Sequence, residues 1–460
     1  MDLPIPTAAS IPGPRGHFLL GNIPEIKRDR VQFLVDIQRQ YGDVVQFRFG
    51  PYEMVMIFHP EAIQRVMLDN HSNYSKETRT FEYLRLLVGN GLLSSNGDFW
   101  LRQRRLMQPA FHRQEINALS EMIVGQTQGI IDHLEMLAET GQAVDLSHEI
   151  MNLTLGIATQ ALFGIQVQDA DGNLGEIIRF LISDTPFRME HPFYPPVWFP
   201  ASRNRQFNAA LKKLDDVIYG IIAERRKHPG ESHNLLDMLM QAQLEADQGA
   251  GDGAGKMTDR QLRDEVVTLF LAGHETTAVN LCWTLYLLSQ HPEVEARLHS
   301  ELDQVLAGRT PTLEDLPRLE YTRKVRDESM RLYPPAWATE RKALEEDVLC
   351  GYHIPAGTRL GISQFVTHRH PSFWEAPDIF DPERFSPEHS ASRHSYAYFP
   401  FGGGPRQCIG KNLALLETQL ALAMLLQRFR FELEPGWQVK TEPEVTLRLK
   451  GGLRMRLKPA

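Results

Sequence analysis

Val266–Leu288 is the longest apolar stretch in the chain, and His274 and Glu275 sit near its middle. An acid at the centre of a membrane span costs about 3 kcal/mol. The stretch therefore predicts a helix buried inside a large water-soluble body rather than a membrane span. The chain can supply such a body: 460 residues allow two or three average domains or one large one. Its apolar content of 42% and charged content of 23% exclude a disordered or fibrous class. A net charge of -9 argues against a nucleic-acid binder, which needs a basic surface. Cys282, Cys350 and Cys408 are the only cysteines, too few for a disulfide framework, so a reducing cytoplasm is the expected compartment. The N-terminal MDLPIPTAASIPGPRGHFLLGN has no basic segment leading into a long apolar run, so neither a signal peptide nor a membrane anchor is expected.

Helical periodicity dominates the middle of the chain, at Arg205–Arg226, Gln261–Ser289 and Pro292–Leu306. Thr258, followed three residues later by Gln261, predicts a capping box opening the long apolar helix. Strand signals lie near the ends. Val44–Phe49, Gly50-Pro51 and Glu53–Phe58 spell a hairpin, and Glu444–Leu449 with Leu453–Leu457 predict a second one around Lys450-Gly451-Gly452. Gln248–Gly255, QGAGDGAG, predicts a surface loop. No repeat and no convincing linker is visible. The expectation is one mostly α domain over residues 1–460, with minor β sheets at its edge.

The most informative segment is Phe399–Gly410, FPFGGGPRQCIG. Its consecutive glycines and Pro405 require an irregular loop. Cys408 ends that loop just before Leu413–Leu426, which has helical spacing. Unpaired N–H groups at a helix start, together with nearby Arg406, favour a thiolate. An inert buried cysteine is the default for a lone thiol, but the surrounding pattern argues otherwise. Phe401, Gly404, Arg406, Cys408 and Gly410 fill F-x-x-G-x-R-x-C-x-G, which resembles the haem-binding signature of the cytochrome P-450 family. Zinc is excluded because no second cysteine lies nearby.

Other segments agree in order. Ala272-Gly273-His274-Glu275-Thr276-Thr277 places a glycine and threonines inside a helix, against local preference. A kink with Thr276 bonded back to a carbonyl would explain that alone, yet the segment also matches the family's A-G-x-[DE]-T-[TS]. The resemblance implies a groove for dioxygen beside the iron at Ala272 and Gly273. Thr276 would then bond the bound oxygen, and Glu275 would belong to the proton-delivery path. Glu328 and Arg331 resemble the family's E-x-x-R, with Arg384 in Pro382–Phe385 following. The resemblance implies a buried structural triad bracing the cysteine loop. Trp100 and Arg104 resemble W-x-x-x-R, and with Arg341 and Arg406 they would meet the haem propionates.

The resemblance runs from Pro12 to the C-terminal hairpin. It implies the cytochrome P-450 fold, with haem b (iron protoporphyrin IX) between the long helix and the Cys408 loop. Cys408 would be the iron's axial ligand, its thiolate favouring O–O cleavage. The implied reaction is hydroxylation or epoxidation of a hydrophobic terpenoid, steroid or fatty acid with O2. No flavin or iron–sulfur segment follows residue 460. Electrons from NAD(P)H are therefore expected through a reductase and a ferredoxin or flavodoxin, docked near Arg102, Arg105, Arg113 and Lys411. A monomer is expected. Substrate contacts are expected at Phe81, Leu87, Phe187, the helix face at Phe270 and Ala272, Ala336, Trp337 and Leu453. Roughly half of these aromatic and aliphatic positions should instead pack into the core. Arg85 and Arg188 are expected at the entrance, where they could hold a carboxylate.

Overall fold

The helix foreseen around the apolar stretch is continuous from Asp259 to Gln290. The computed structural model describes residues 10–164, 174–191, 193–227, 234–240 and 257–460. Thr258 caps the helix: its hydroxyl accepts from the Gln261 N–H at 3.2 Å, and the Gln261 side chain accepts from the Thr258 N–H at 2.6 Å. Three of the helices expected from periodicity appear as Ser202–Lys227, Pro292–Leu306 and Lys411–Arg428. The expected loop at Gln248–Gly255 lies outside the described residues.

The described residues form two compact units, each drawn from separated stretches of chain. One comprises Met1–Tyr83, Pro186–Tyr194 and Met330–Cys408. It is organised on a five-stranded sheet in the order Val44–Phe49, Tyr52–Ile57, Arg359–Ile362, Thr339–Ala343, Tyr74–Ser75. The first pair is the hairpin read from sequence, antiparallel with Val44 opposite Ile57 and Phe49 opposite Tyr52. Its second strand then runs parallel to Arg359–Ile362, a partner some three hundred positions away. Val55, Ile57, Leu360 and Ile362 form the sheet's apolar face, against which Ile63, Val66 and Phe399 pack.

The same unit holds a fully buried guanidinium. Arg331 donates to the carbonyls of His368 (2.9 Å), Pro377 (2.7 Å) and Ile379 (3.1 Å), and lies over the Trp374 ring. It thereby satisfies three carbonyls of an irregular stretch that has no strand partner to do so.

The other unit comprises Leu84–Thr185, Pro195–Ser329 and Ile409–Ala460. Here the long helix packs on Leu146–Phe163, and Ser120–Glu139 packs on both Leu146–Phe163 and Lys411–Arg428. Alternate core residues of Phe429–Leu433 and Arg454–Pro459 close a small sheet with Val144–Asp145.

The C-terminal hairpin differs from expectation. Leu447–Leu449 pairs with Thr441–Pro443, whereas Arg454–Pro459 pairs with Phe429–Leu433 and Val144–Asp145. Gly451 and Gly452, at φ of 78° and 84°, do reverse the chain. The turn sets direction only; burial of Leu453, Met455 and Leu457 selects the longer, aromatic-bearing partner strand.

Arg331→Leu should leave the buried His368 carbonyl unpaired, at about 1–3 kcal/mol, and release the part-buried carbonyls of Pro377 and Ile379. Urea unfolding should show a loss of about 1–3 kcal/mol or more; a loss below about 1 kcal/mol would mean the carbonyls find other donors.

Candidate functional site

The glycines of Phe399–Gly410 do what an ordinary residue could not. Gly402 and Gly404 adopt φ of 69° and 62°. A Cβ on Gly404 would lie 1.8 Å from the Met67 carbonyl oxygen, and one on Gly403 would lie 2.4 Å from the Tyr396 ring. Such close approach presses the loop against Arg65–Asp69 and Tyr396. The loop then closes on itself: the Cys408 N–H donates to Phe401 O at 2.9 Å, and the Gln407 N–H to Gly404 O at 3.1 Å. At its start, the Phe399 N–H donates to His368 Nε2 at 3.0 Å. Burial, aided by Arg331 and Arg369, pushes His368 down to about 3, so its ring is neutral and can accept that bond. The outcome is a rigid loop holding Cys408 exposed.

Arg341 and Arg406 belong to the same unit. Burial pushes Arg341 down to about 10, and burial plus the charge of Arg341 pushes Arg406 down to about 9. Two neighbouring cations withdrawn from water favour an anion in their midst. A haem suits this donor set, with a thiolate for its iron and guanidiniums for its carboxylates.

In the other unit, the long helix is buried on either side of its centre but open there. Ala272 is exposed, and Gly273 and Thr276 are half-exposed. Thr276 Oγ1 donates to Ala272 O at 2.7 Å, and Thr277 Oγ1 to Gly273 O at 3.2 Å. These are the back-bonds that a plain helix residue would also make; the exposure beside them interrupts a helix that is buried from Leu262 to Leu271 and again from Thr277 to Leu285. His274 is buried with Nδ1 3.0 Å from Phe270 O, and burial lowers its pKa.

Glu275, expected in the proton-delivery path, is buried and paired. Its carboxylate, 2% exposed, accepts from Arg448 Nε and Thr446 Oγ1, both at 2.5 Å. Burial would raise its pKa, but the charge and hydrogen bond of Arg448, with Thr446 and His274, outweigh it and hold the group below the usual range. One helical side further on, the Trp283 indole N–H donates to Leu447 O at 2.8 Å. Residues 446–448 are thus fastened along two turns of the helix. No sequence signal named Arg448 or Thr446. A buried acid demands a cation, but which one lies more than 170 positions away cannot be read from spacing.

Trp100 is buried and Arg104 half-buried, one turn apart on the helix Gly97–Met107. Glu328 and Arg331 are both fully buried on Glu320–Leu332. Arg384 donates to Ala376 O at 3.0 Å. Phe401 and Gly410 are half-buried. Arg105 and Arg113 are exposed; Lys411 is half-buried, as is Arg102, which lies over Phe99.

Several expected substrate contacts belong to the core instead. Phe270 cannot share a face with Ala272, because positions two apart on a helix point nearly oppositely; it packs on Phe163. Leu87 and Leu453 are 1% and 0% exposed, and Leu453 is held by bonds with Asp145 and Leu146. Trp337 and Phe81 are buried, the latter beneath Lys76. Phe187 is half-buried, stacked on His191 and edge-on to Tyr194. Ala336 is exposed. Arg85 is half-buried and donates to Ser94 O at 2.9 Å, and Arg188 is 3% exposed near Tyr194.

The family model for cytochrome P450 matches residues 11–455. The chain belongs to the cytochrome P450 family, and is thus a haem-iron oxidoreductase that incorporates oxygen from O2. It is 35% identical over 449 residues to cyclooctatin synthase of Streptomyces melanosporofaciens, covering 97% of this chain and 95% of that one. It is 36% identical over 420 residues to cyclooctat-9-en-7-ol 5-monooxygenase of the same organism, covering 91% and 88%. Its fold matches the crystal structure of the cytochrome P450DA haem domain with a TM-score of 0.86, at 25% identity and 98% coverage of both chains. Among the described residues, no helix is long and apolar enough to cross a membrane.

Arg448→Gln should strand the Glu275 carboxylate and cost about 3–5 kcal/mol at neutral pH. Because the folded pKa of Glu275 lies below 4.5, the stability conferred by the pair is present above that pH and lost as pH falls through the folded value. Denaturant unfolding of both proteins from pH 7 to pH 3 should show the gap narrowing with acid. A gap independent of pH would mean that the pair contributes packing alone.

Proposed function

We propose that the chain is a single haem domain, a haem-thiolate monooxygenase that hydroxylates or epoxidises an apolar polycyclic molecule of the terpenoid or steroid class. The observation that carries this reading is the opening at Ala272, Gly273 and Thr276 in a helix otherwise buried along its middle turns. Haem b, when bound, would supply dioxygen activation through its thiolate-ligated iron. Cys408 would hold that iron, and Arg341, Arg406, Trp100 and Arg104 would hold the propionates. Glu328, Arg331 and Arg384 would brace the cysteine loop.

Thr276 keeps its proton on Ala272 O and can turn it into the opening by one side-chain rotation. Glu275, ionised and clamped, would hold the helix in place beside it. A fatty acid is the less favoured substrate, since Arg188 is buried and Arg85 is engaged by the Ser94 carbonyl. The name of one Streptomyces relative, which specifies monooxygenation of an unsaturated alcohol, supports the reaction class. Electrons would come from NAD(P)H through a reductase and an acidic ferredoxin or flavodoxin, steered to Arg102, Arg105, Arg113 and Lys411. The protein would act as a cytoplasmic monomer.

The ferrous carbon-monoxide complex should show the red-shifted absorption of thiolate ligation, and Cys408→Ser should fold but lose both that band and turnover. A histidine-type band in well-folded wild type would overturn the assignment. Thr276→Ala should still consume NAD(P)H but divert it into peroxide, lowering product per NAD(P)H about tenfold or more. Unchanged coupling would reduce Thr276 to a helix residue.

A further inference from the structure

At one end of the five-stranded sheet, three successive large apolar side chains stand in water: Phe18 is 83% exposed, Leu19 55% and Leu20 36%. The turn that carries them is well fastened. The His17 N–H donates to Gly21 O at 2.7 Å, and the Gly21 N–H to His17 O at 2.8 Å. The His17 ring accepts from the N–H groups of Leu19 and Leu20 at 3.3 and 3.2 Å. Gly16 and Gly21, at φ of 58° and 60°, permit so tight a reversal. Arg48 ties the turn to the first hairpin: its carbonyl accepts the Asn22 N–H at 2.7 Å, and its Nη2 donates to His17 O at 3.1 Å. In the hairpin's own turn, the Gly50 N–H donates to Leu20 O at 3.1 Å. The backbone thus keeps three apolar side chains out of the core, against the hydrophobic effect.

The same end carries cations without counter-ions. Tyr52 pairs with Phe49 across the hairpin turn. The guanidiniums of Arg79 and Arg359 both lie over its ring, 4.1 and 5.0 Å from the centroid. Lys342 stands directly opposite Arg359 on the neighbouring strand, a like-charge pairing that costs stability. Among the described residues, none of Arg79, Lys342 and Arg359 forms an ion pair; Arg79 donates instead to the Tyr83 hydroxyl at 3.1 Å. Two acids lie nearby. Glu340 is taken by the Thr80 hydroxyl at 2.7 Å and driven toward its neutral form by burial. Glu53 faces Arg48 across the hairpin. Three cations are left unmatched, in a chain whose net charge is -9.

We infer that this end of the sheet docks on an anionic lipid bilayer, with Phe18, Leu19 and Leu20 entering the acyl boundary and Arg79, Lys342 and Arg359 meeting headgroup phosphates. Apolar area and attraction to anionic lipid act together in peripheral membrane binding, and both are present here side by side. An acidic protein would match the cations, but it would need a fitted pocket for three side chains on one narrow turn. Acyl chains yield around them. The inference goes beyond the monooxygenase reading and does not depend on it. An enzyme of apolar molecules working at a bilayer would meet its substrate where such molecules collect.

Co-sedimentation of the haem-loaded full chain with vesicles tests this, using phosphatidylcholine alone and an equal mixture of phosphatidylcholine and phosphatidylglycerol. Partitioning onto the mixed vesicles should exceed that onto phosphatidylcholine about tenfold or more at low salt, and high salt should erase the difference. Phe18→Ser combined with Leu19→Ser should weaken binding to the mixed vesicles about tenfold or more. Lys342→Gln combined with Arg359→Gln should lower the preference for mixed vesicles about fivefold or more. Both variants should keep the wild-type haem spectrum, which shows that the fold is intact. Equal partitioning onto the two kinds of vesicle, or binding that either variant leaves unchanged, overturns the inference. So does the absence of binding to both; if the charge variant then slows reduction by an acidic ferredoxin, the patch belongs to a protein partner. Binding is read without turnover, so its failure leaves the monooxygenase reading standing.

Discussion

Burying a helix of 32 residues that carries Arg263, Asp264, Glu265, His274 and Glu275 sets the terms for the unit around it. Each charge taken out of water needs a partner, or must lose its charge. The structure uses both routes. Arg263 takes Asp215, Asp264 takes a loop N–H, and Glu275 takes Arg448 and Thr446. Glu265 and His274 are instead driven toward their neutral forms by burial. These attachments fasten Val88–Leu93 to one end of the helix and residues 446–448 near its middle. The opening at Ala272–Thr276 is flanked by polar contacts whose disruption would cost several kcal/mol.

The cysteine loop rests on a different constraint. Its geometry comes from backbone that only glycine can adopt or fit: positive φ at Gly402 and Gly404, and van der Waals contact at Gly403 and Gly404 where any side chain would collide. A thiol held this way stays exposed without relying on loop flexibility. The fully buried Arg331 plays a comparable part for residues 368–379, supplying donors where no strand can.

The places where spacing misled have a common cause. Local signals located the turn at Gly451-Gly452, but pairing was decided by which strand could bury Leu453, Met455 and Leu457. The resemblance puts Phe270 and Ala272 on one helix face; helical rotation separates them, and Phe270 packs on Phe163. Charge suggests Arg85 and Arg188 for a carboxylate, yet Arg85 is bonded to the Ser94 carbonyl and Arg188 is buried near Tyr194.

By itself the sequence determined the long helix and its capping box, the first hairpin, the glycine-built cysteine loop, and the family those motifs belong to. Each depends on chemistry carried within a dozen or so neighbouring residues: hydrophobic period, cap geometry, the φ allowed to glycine. Tertiary structure alone decided that Glu275 is clamped by Arg448, that Arg341 and Arg406 share one buried neighbourhood, and that Arg79 and Arg359 meet over Tyr52 with no ion pair among the described residues. Those outcomes depend on which distant groups are brought within hydrogen-bond reach and which are left without one. That is settled by packing, because desolvation and pairing act through space rather than along the chain.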